Sequence, residues 1–277
     1  MNMFVSPMLL QYAEDNKPFD DDSHITELKW DGIRLVPSNI NRPRLYTRHE
    51  NEITGNFPEV IESMPFPSGT ILDSELVVAN AEGKADFAAM MERFHSNKSK
   101  HKVTVVAFDI IKYKNRDLTG LPLIERKKYL DDSFVNNDYF VKSHYLIGNG
   151  IGYFDLVKQQ GLEGTVQKHI NSKYEVGKRS SSWKKVIAYD MGEFLIAGYR
   201  KDKFGWLLSD GERIVGSMEL GVGSTERKAG YKIFQQLKTN ETKDTVYLQP
   251  LLKCVVKYRG YTKNNLLRLP VFDQFVM

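Results

Sequence analysis

The chain has 277 residues, which allows one large domain or two of ordinary size, and 41% of them are hydrophobic, enough for a real core. Its one cysteine, Cys254, excludes a disulfide within the chain; no Cys/His zinc spacing is present, and no run approaches the roughly 18 apolar residues of a membrane span. The net charge of +4 is uneven: residues 189–277 hold 14 Lys and Arg against 10 Asp and Glu while the rest holds 25 of each, so the cationic excess falls where a polyanion would be touched.

The first residues show no cationic stretch followed by an apolar core, so a cytoplasmic protein without a membrane role is expected. Ile25–Leu28 and Ile33–Val36 read as short strands, and Asp31-Gly32 between them is a hairpin signal. That places Lys29 at the mouth of a tight turn, with an acid two residues on and Arg34 five on. A lysine held rigidly beside other cations can lose its proton and become a nucleophile.

Strand-like runs follow at 43–48, 70–79, 103–111, 162–170 and 183–188. Helices are expected at Phe87–Phe94, with apolar residues at i, i+3, i+4 and i+7, at Leu123–Leu130 after Pro122, and at Gly152–Gln160, closed by Gly161. Strands and helices mix without regular βαβ alternation, which favours an α+β domain with mainly antiparallel sheets. From about residue 190 the pattern changes to short strands at Glu193–Tyr199, Trp206–Ser209, Arg213–Leu220 and Val246–Tyr258, with one helix at Thr225–Leu237. This suits a small Greek-key β-barrel of the OB-fold type. The expected organisation is therefore a domain at 1–188 followed by a barrel at 189–277.

Several strings could carry phosphoryl-transfer chemistry, which needs a nucleophile, cations on phosphate oxygens, carboxylates for a divalent metal and a grip on a base. Lys29-Trp30-Asp31-Gly32-Ile33-Arg34 supplies the nucleophile. In Leu72-Asp73-Ser74-Glu75, period-2 alternation puts both acids on one face, for a ribose hydroxyl or a metal, or as solvated acids of an edge strand. Phe108 ends the apolar run from Val103 and suits either a purine stack or the core. Glu163-Gly164-Thr165-Val166-Gln167-Lys168 joins an acid, a glycine allowing close approach and a lysine, a set fit for metal and phosphate. Tyr174 to Lys185 is a basic loop entering a strand, and Arg48 is either a phosphate contact or an exposed strand arginine.

In this order the strings resemble motifs I, Ia, III, IIIa, IV and V of the ATP-dependent DNA ligases, and the resemblance covers nearly the whole chain. It is nearest to the short bacterial and phage ligases, including those of Bacillus and its prophages, with an adenylation domain followed by an OB domain. The flanking Thr54-Gly55-Asn56-Phe57-Pro58-Glu59, Lys178-Arg179-Ser180 and Leu267-Arg268-Leu269-Pro270-Val271-Phe272 are similar to family segments.

The resemblance implies a nucleotidyltransferase (ATP-grasp-like) domain and a nick-sealing reaction on duplex DNA through a covalent lysyl-AMP on Lys29. It implies that Glu27 reads the adenine amino group, that Leu28 lines the nucleotide site and that Phe108 stacks on adenine. Arg34 and Arg48 are implied to contact ribose, phosphate or the nick. Glu75 is implied to bind ribose or support Mg²⁺ (or Mn²⁺), Glu163 to bind that metal, and Lys168 and Lys185 to contact the phosphates of ATP or AMP. The expected partner is nicked double-stranded DNA, bound by a monomer whose OB domain swings about a hinge near Ala188–Gly192.

The chain departs from the family at three places. Arg48-His49-Glu50 stands for the usual Arg-Asn-Gly, Ile187 stands for the second lysine of motif V, and no R-x-D-K string of motif VI follows. For the last, two alternatives stay open: Arg268 or another C-terminal cation substitutes, or self-adenylation is slow. An RNA ligase using the same residues, a GTP-using capping enzyme and a non-catalytic OB-type nucleic-acid binder are the alternative readings.

Overall fold

The computed structural model describes residues 3–276, so Met1, Asn2 and Met277, part of the ends read for a leader and for motif VI, lie outside the described residues. The chain divides into two compact units between Ala188 and Tyr189.

The first unit contains, in chain order, β1 (Leu9–Tyr12), β2 (His24–Leu28), β3 (Ile33–Asn39), β4 (Pro43–Thr47), α1 (Pro58–Glu62), β5 (Thr70–Val78), α2 (Phe87–His95), β6 (Val103–Tyr113), β7 (Arg116–Asp117), α3 (Leu123–Ser133), β8 (Phe140–Lys142), β9 (Tyr145–Ile147), α4 (Gly150–Gln159), β10 (Gly164–His169) and β11 (Arg179–Ile187). One sheet has the order β1-β11-β10-β2-β9, and the other β4-β3-β5-β6-β7 with β8 on β6. All these pairs are antiparallel except β1 with β11 and β6 with β8.

Period-2 alternation assigns the faces. In β3, Leu35 joins Leu76, Met90 and Val105 in a core beneath α2, while its neighbour Val36 points the other way. Val36, Ile71 and Phe108 of the second sheet meet Ile25 and Trp183 of the first in a shared core. The helix α2 starts where expected because Asp86 caps it, its carboxylate accepting from Ala89 N at 2.9 Å. Such a cap contributes about 1 kcal/mol.

The Asp31-Gly32 hairpin expected from the sequence does not form. The strands on either side, β2 and β3, belong to different sheets, and residues 29–32 carry the chain across from one to the other. Gly32 has no left-handed φ; a Cβ there would lie 2.3 Å from the Leu76 carbonyl oxygen and 2.8 Å from Val77 Cγ1. The glycine serves close approach to β5, not turn handedness.

The second unit contains β12 (Asp190–Arg200), β13 (Trp206–Ser209), β14 (Ile214–Met218), α5 (Ser224–Leu237), β15 (Lys238–Glu241), β16 (Thr245–Leu248), β17 (Lys253–Tyr258) and β18 (Val271–Phe275). The single strand expected over Val246–Tyr258 is two strands, because Pro250 has no N–H to give to a ladder. β12 pairs with β13 and β17, β13 with β14, and β17 with β18. The parallel bridge Leu220↔Val271 then joins the end of β14 to β18, with Phe272 N donating to Leu220 O at 2.9 Å. The result is an OB-fold-like half-barrel, filled by Ile196, Trp206, Phe234 and Val256, with Cys254 among them as a buried thiol. Among the described residues no helix is long and apolar enough to cross a membrane.

Gly32→Ala is expected to destabilise the protein by about 1–3 kcal/mol, because backbone oxygen cannot yield to the new methyl. A thermal melt measures this; an unchanged melting temperature would mean that β5 is free to move away.

Candidate active site

A cleft opens between the two sheets of the first unit. The strand register explains which side chains of the first sheet face it. Tyr145, Glu27, Val166, Lys185 and Tyr12 are cross-strand partners in one row, and such partners share a face. Ile25, Lys168 and Trp183 form the next row on that face. The second sheet contributes Arg34, Glu75 and Phe108.

Lys29 follows the last residue of β2, and its backbone N donates to Gly164 O at 2.9 Å. Gly164 has φ +143°, and a Cβ on it would meet Val186 O at 2.1 Å. Only glycine lets β10 lie this close to β11, so the residue before it, Glu163, comes alongside Lys29. The two side chains pair at 2.7 Å, with Lys29 21% and Glu163 4% exposed.

Arg34 makes a fork on Asp73, Nε and Nη2 each donating at 2.6 Å, and Nη2 also donates to Met8 O at 3.1 Å. The Tyr174 hydroxyl donates to the same carboxylate at 2.6 Å and accepts from Met8 N at 3.0 Å. Burial and Asp73 push the Tyr174 phenol well above its ordinary value, so it stays a donor. Asp73 is thus consumed in holding Arg34, and of the two acids on this strand only Glu75 lines the cleft. Burial pushes Glu75 up to about 7; Glu163 and Asp73 add to the rise, and Lys29 and Arg34 oppose it.

Phe108 sits at a β-bulge. Asp73 faces Asp109 and Ser74 faces Ala107, so Phe108 has no partner on β5. A bulge re-aims a side chain, and here the Arg34 guanidinium lies 4.6 Å and Lys168 Nζ 4.4 Å from the ring centroid.

A buried charge cluster surrounds Glu27. Lys168 Nζ lies 2.5 Å from Glu27 Oε2, and Lys127 Nζ bonds Glu27 Oε1. Lys168 was expected at phosphate, but its ammonium faces Glu27 and lies over the rings of Phe108 and Trp183. Burial pushes it down to about 8, assisted by Lys127 and opposed by Glu27.

Seven of the residues singled out from the sequence line this one cleft: Glu27, Leu28, Lys29, Arg34, Glu75, Phe108 and Lys168. Glu163 reaches it through Lys29. Lys185 lies with its Nζ 3.9 Å from the Tyr12 ring centroid. Arg48 is not among the lining residues: it is exposed in the turn after β4, where its Nε donates to His49 Nε2 at 2.9 Å. In that turn Glu50 adopts φ +65°, the conformation a glycine would favour. The sequence reading missed Lys127, Leu10, Trp30 and Trp183; only the ligase-like order around Lys184 and Lys185 would have drawn notice to the last.

Among the described residues no cluster of three or more His, Cys, Asp or Glu stands ready for a metal. Glu75, half-buried, and Glu163 are two carboxylates close enough for each charge to bear on the other. An all-oxygen pair fits Mg²⁺ or Mn²⁺, which take one or two carboxylates and complete their shell with substrate phosphates and water.

The model of the ATP dependent DNA ligase domain family matches residues 3–186. The chain is 43% identical over 276 residues to the SPbeta prophage-derived DNA ligase-like protein LigB of Bacillus subtilis, covering 99% of each. It is 27% identical over 267 residues to the multifunctional non-homologous end joining DNA repair protein LigD of Mycobacterium tuberculosis, spanning 87% of this chain but only 34% of that protein. Among solved structures, the ligase domain of M. tuberculosis LigD gives a TM-score of 0.62 at 23% identity, covering 98% of this chain and 95% of that one. A Lig E DNA ligase gives 0.70 at 18% identity over 99% and 100%. At those identities the two structures speak to the fold.

The Glu75 shift has a consequence for stability. Its carboxyl is near 4.5 in the unfolded chain and about 7 in the fold, so the unfolded state ionises first and stability is lost as pH rises from about 4.5 to 7. In metal-free buffer, Glu75→Gln should lose less stability than the unaltered protein between pH 5 and pH 8. Urea midpoints at the two pH values test this, and equal losses would remove Glu75 as the cause.

Proposed function

We propose a residue-level route for the nick sealing of this chain, which belongs to the ATP-dependent DNA ligases. The observation that carries it is the Lys29–Glu163 pair, 2.7 Å apart, beside a cleft that Arg34, Glu75, Glu27 and Phe108 also line. In this route ATP enters with its base against the Phe108 ring and its 6-amino group on Glu27. Arg34, held by Asp73, meets the ribose–phosphate part.

Glu163, paired with Lys29, passes on to solvent the proton that Lys29 must lose before it can attack, and is left ionised. Neutral Lys29 Nζ then attacks the α-phosphorus in line, forming a P–N bond as the bond to pyrophosphate breaks. Next, an oxygen of the 5′-phosphate at a nick attacks the same phosphorus; the P–N bond breaks and the lysine regains its proton. Finally the adjacent 3′-hydroxyl attacks the 5′-phosphate, AMP leaves, and the phosphodiester is closed. A divalent cation on Glu75 and Glu163 would neutralise charge on the phosphates and, by occupying Glu163, favour the uncharged amine.

The OB-fold-like unit, where the cationic excess lies, suits contact with the duplex backbone. Binding of that kind weakens steeply with salt.

Intact mass after incubation with Mg²⁺ and ATP should show a gain of one AMP. The gain should be absent with GTP and absent in Lys29→Ala. An adduct that persists in Lys29→Ala would overturn the assignment of the nucleophile.

A further inference from the structure

We infer that Lys127 sets which purine the cleft accepts, by fixing the Glu27 carboxylate in place as the hydrogen-bond acceptor for the 6-amino group. The inference deepens the function proposed above and rests on its reading that the nucleotide base meets Glu27.

Lys127 sits on α3, far along the chain from the ligase-like strings, yet it is 1% exposed. Its Nζ bonds Glu27 Oε1 and donates to the Phe108 backbone carbonyl at 2.7 Å. Lys168 holds the other carboxylate oxygen, Oε2, at 2.5 Å. Glu27 itself is 2% exposed. One ammonium therefore ties the group that reads the base edge to the residue whose ring supports the base face. Two fixed partners leave Lys127 little freedom to turn toward a ligand, so it acts on the base through Glu27 as a positioning residue.

The chemistry of the purine edge makes the placement of the Glu27 carboxylate decisive. A 6-amino group donates, and a carboxylate accepts from it. A 6-keto group accepts, and a carboxylate repels it. Without Lys127, Glu27 keeps Lys168 on Oε2, but Oε1 loses the partner that fixes its direction. Losing Lys127 thus loosens the acceptor that tells a 6-amino purine from one that lacks the amino group. Sites built around one buried polar partner discriminate strongly against a ligand that lacks its complement.

Self-adenylation of the full chain, read by intact mass over time, tests this with three nucleotides: ATP, purine riboside triphosphate (hydrogen in place of the 6-amino group) and GTP. The unaltered protein should prefer ATP over the 6-hydrogen analogue by about tenfold or more. Lys127→Met should bring that ratio to within about twofold, while Lys127→Arg, which keeps a donor on Glu27 Oε1, restores the preference. A Lys127→Met protein that is slower with all three nucleotides in the same proportion would overturn the inference, since a merely structural lysine acts that way. Should Lys127→Met not fold, as judged by its melt, Lys127→Gln keeps a donor for the Phe108 carbonyl and carries the same comparison. Glu27→Gln separates the two levels of the argument. If it abolishes the preference while Lys127→Met and Lys127→Gln keep it, only the role of Lys127 falls. If the unaltered protein itself shows no preference, the reading of Glu27 as the base contact falls and takes the inference with it.

Discussion

The absence of room for a Cβ at Gly32 is the constraint on which the cleft depends. Because β3 must pass against the Leu76 carbonyl immediately after the crossing, Lys29 ends up on one sheet and Arg34 on the other, although only five positions separate them. A hairpin would have put both on one ribbon and left no cleft between them. The same kind of contact fixes the far side of Lys29: Gly164 is pressed against Val186 O, and its own carbonyl takes the Lys29 amide proton. Two glycines, each required by close packing, therefore determine where the Lys29 backbone lies. A site on packed strands holds its geometry better than one on a loop.

Given that frame, the charges follow a consistent pattern. Asp73 is shared by Arg34 and Tyr174, Asp109 is forked by Arg126 at 3.0 and 2.8 Å, Glu27 lies between Lys127 and Lys168, and Glu163 faces Lys29. Burying an ion costs several kcal/mol, which a well-made partner set offsets without large net gain. The return is orientation: groups fixed in this way need no reorganisation when a triphosphate enters, and that is where electrostatic catalysis gains its advantage. Glu75 departs from the pattern. Its burial outweighs the attraction of Lys29 and Arg34, so its proton leaves only near pH 7. A carboxylate that is poorly compensated in the protein alone is suited to a cation that arrives with the substrate.

Much of this was legible in the chain, for identifiable reasons. Lys29, Arg34, Glu75 and Phe108 stand in strings whose order is informative even where each string is weak, and the long strands β5 and β6 carry strong apolar patterns. The OB-fold-like half-barrel was legible from short strands at regular spacing with one helix among them. What escaped notice depends on tertiary context. Lys127 lies between Arg126 and Lys128, and a run of three cations on a helix reads as a solvated face; only the packing of α3 against β6 turns two of them inward, onto Asp109 and Glu27. β1 has four residues and joins its sheet in parallel to a partner about 170 positions away, which no local pattern announces. The hairpin reading failed because an Asp-Gly pair between strands signals tight packing as well as it signals a turn, and distance to β5 is not written locally.

The bulge at Phe108 shows how a feature invisible in sequence joins these parts. Without it, Phe108 would have a partner on β5 and its carbonyl would serve the β5–β6 ladder. The extra residue instead lets the ring line the cleft, near Arg34 and Lys168, and releases the carbonyl to Lys127. The ring that lines the cleft and the carbonyl that anchors Lys127 beside Glu27 are thus two ends of one residue, so a shift in the bulge moves both together. That coupling makes the local disruption of the ladder part of the cleft's construction.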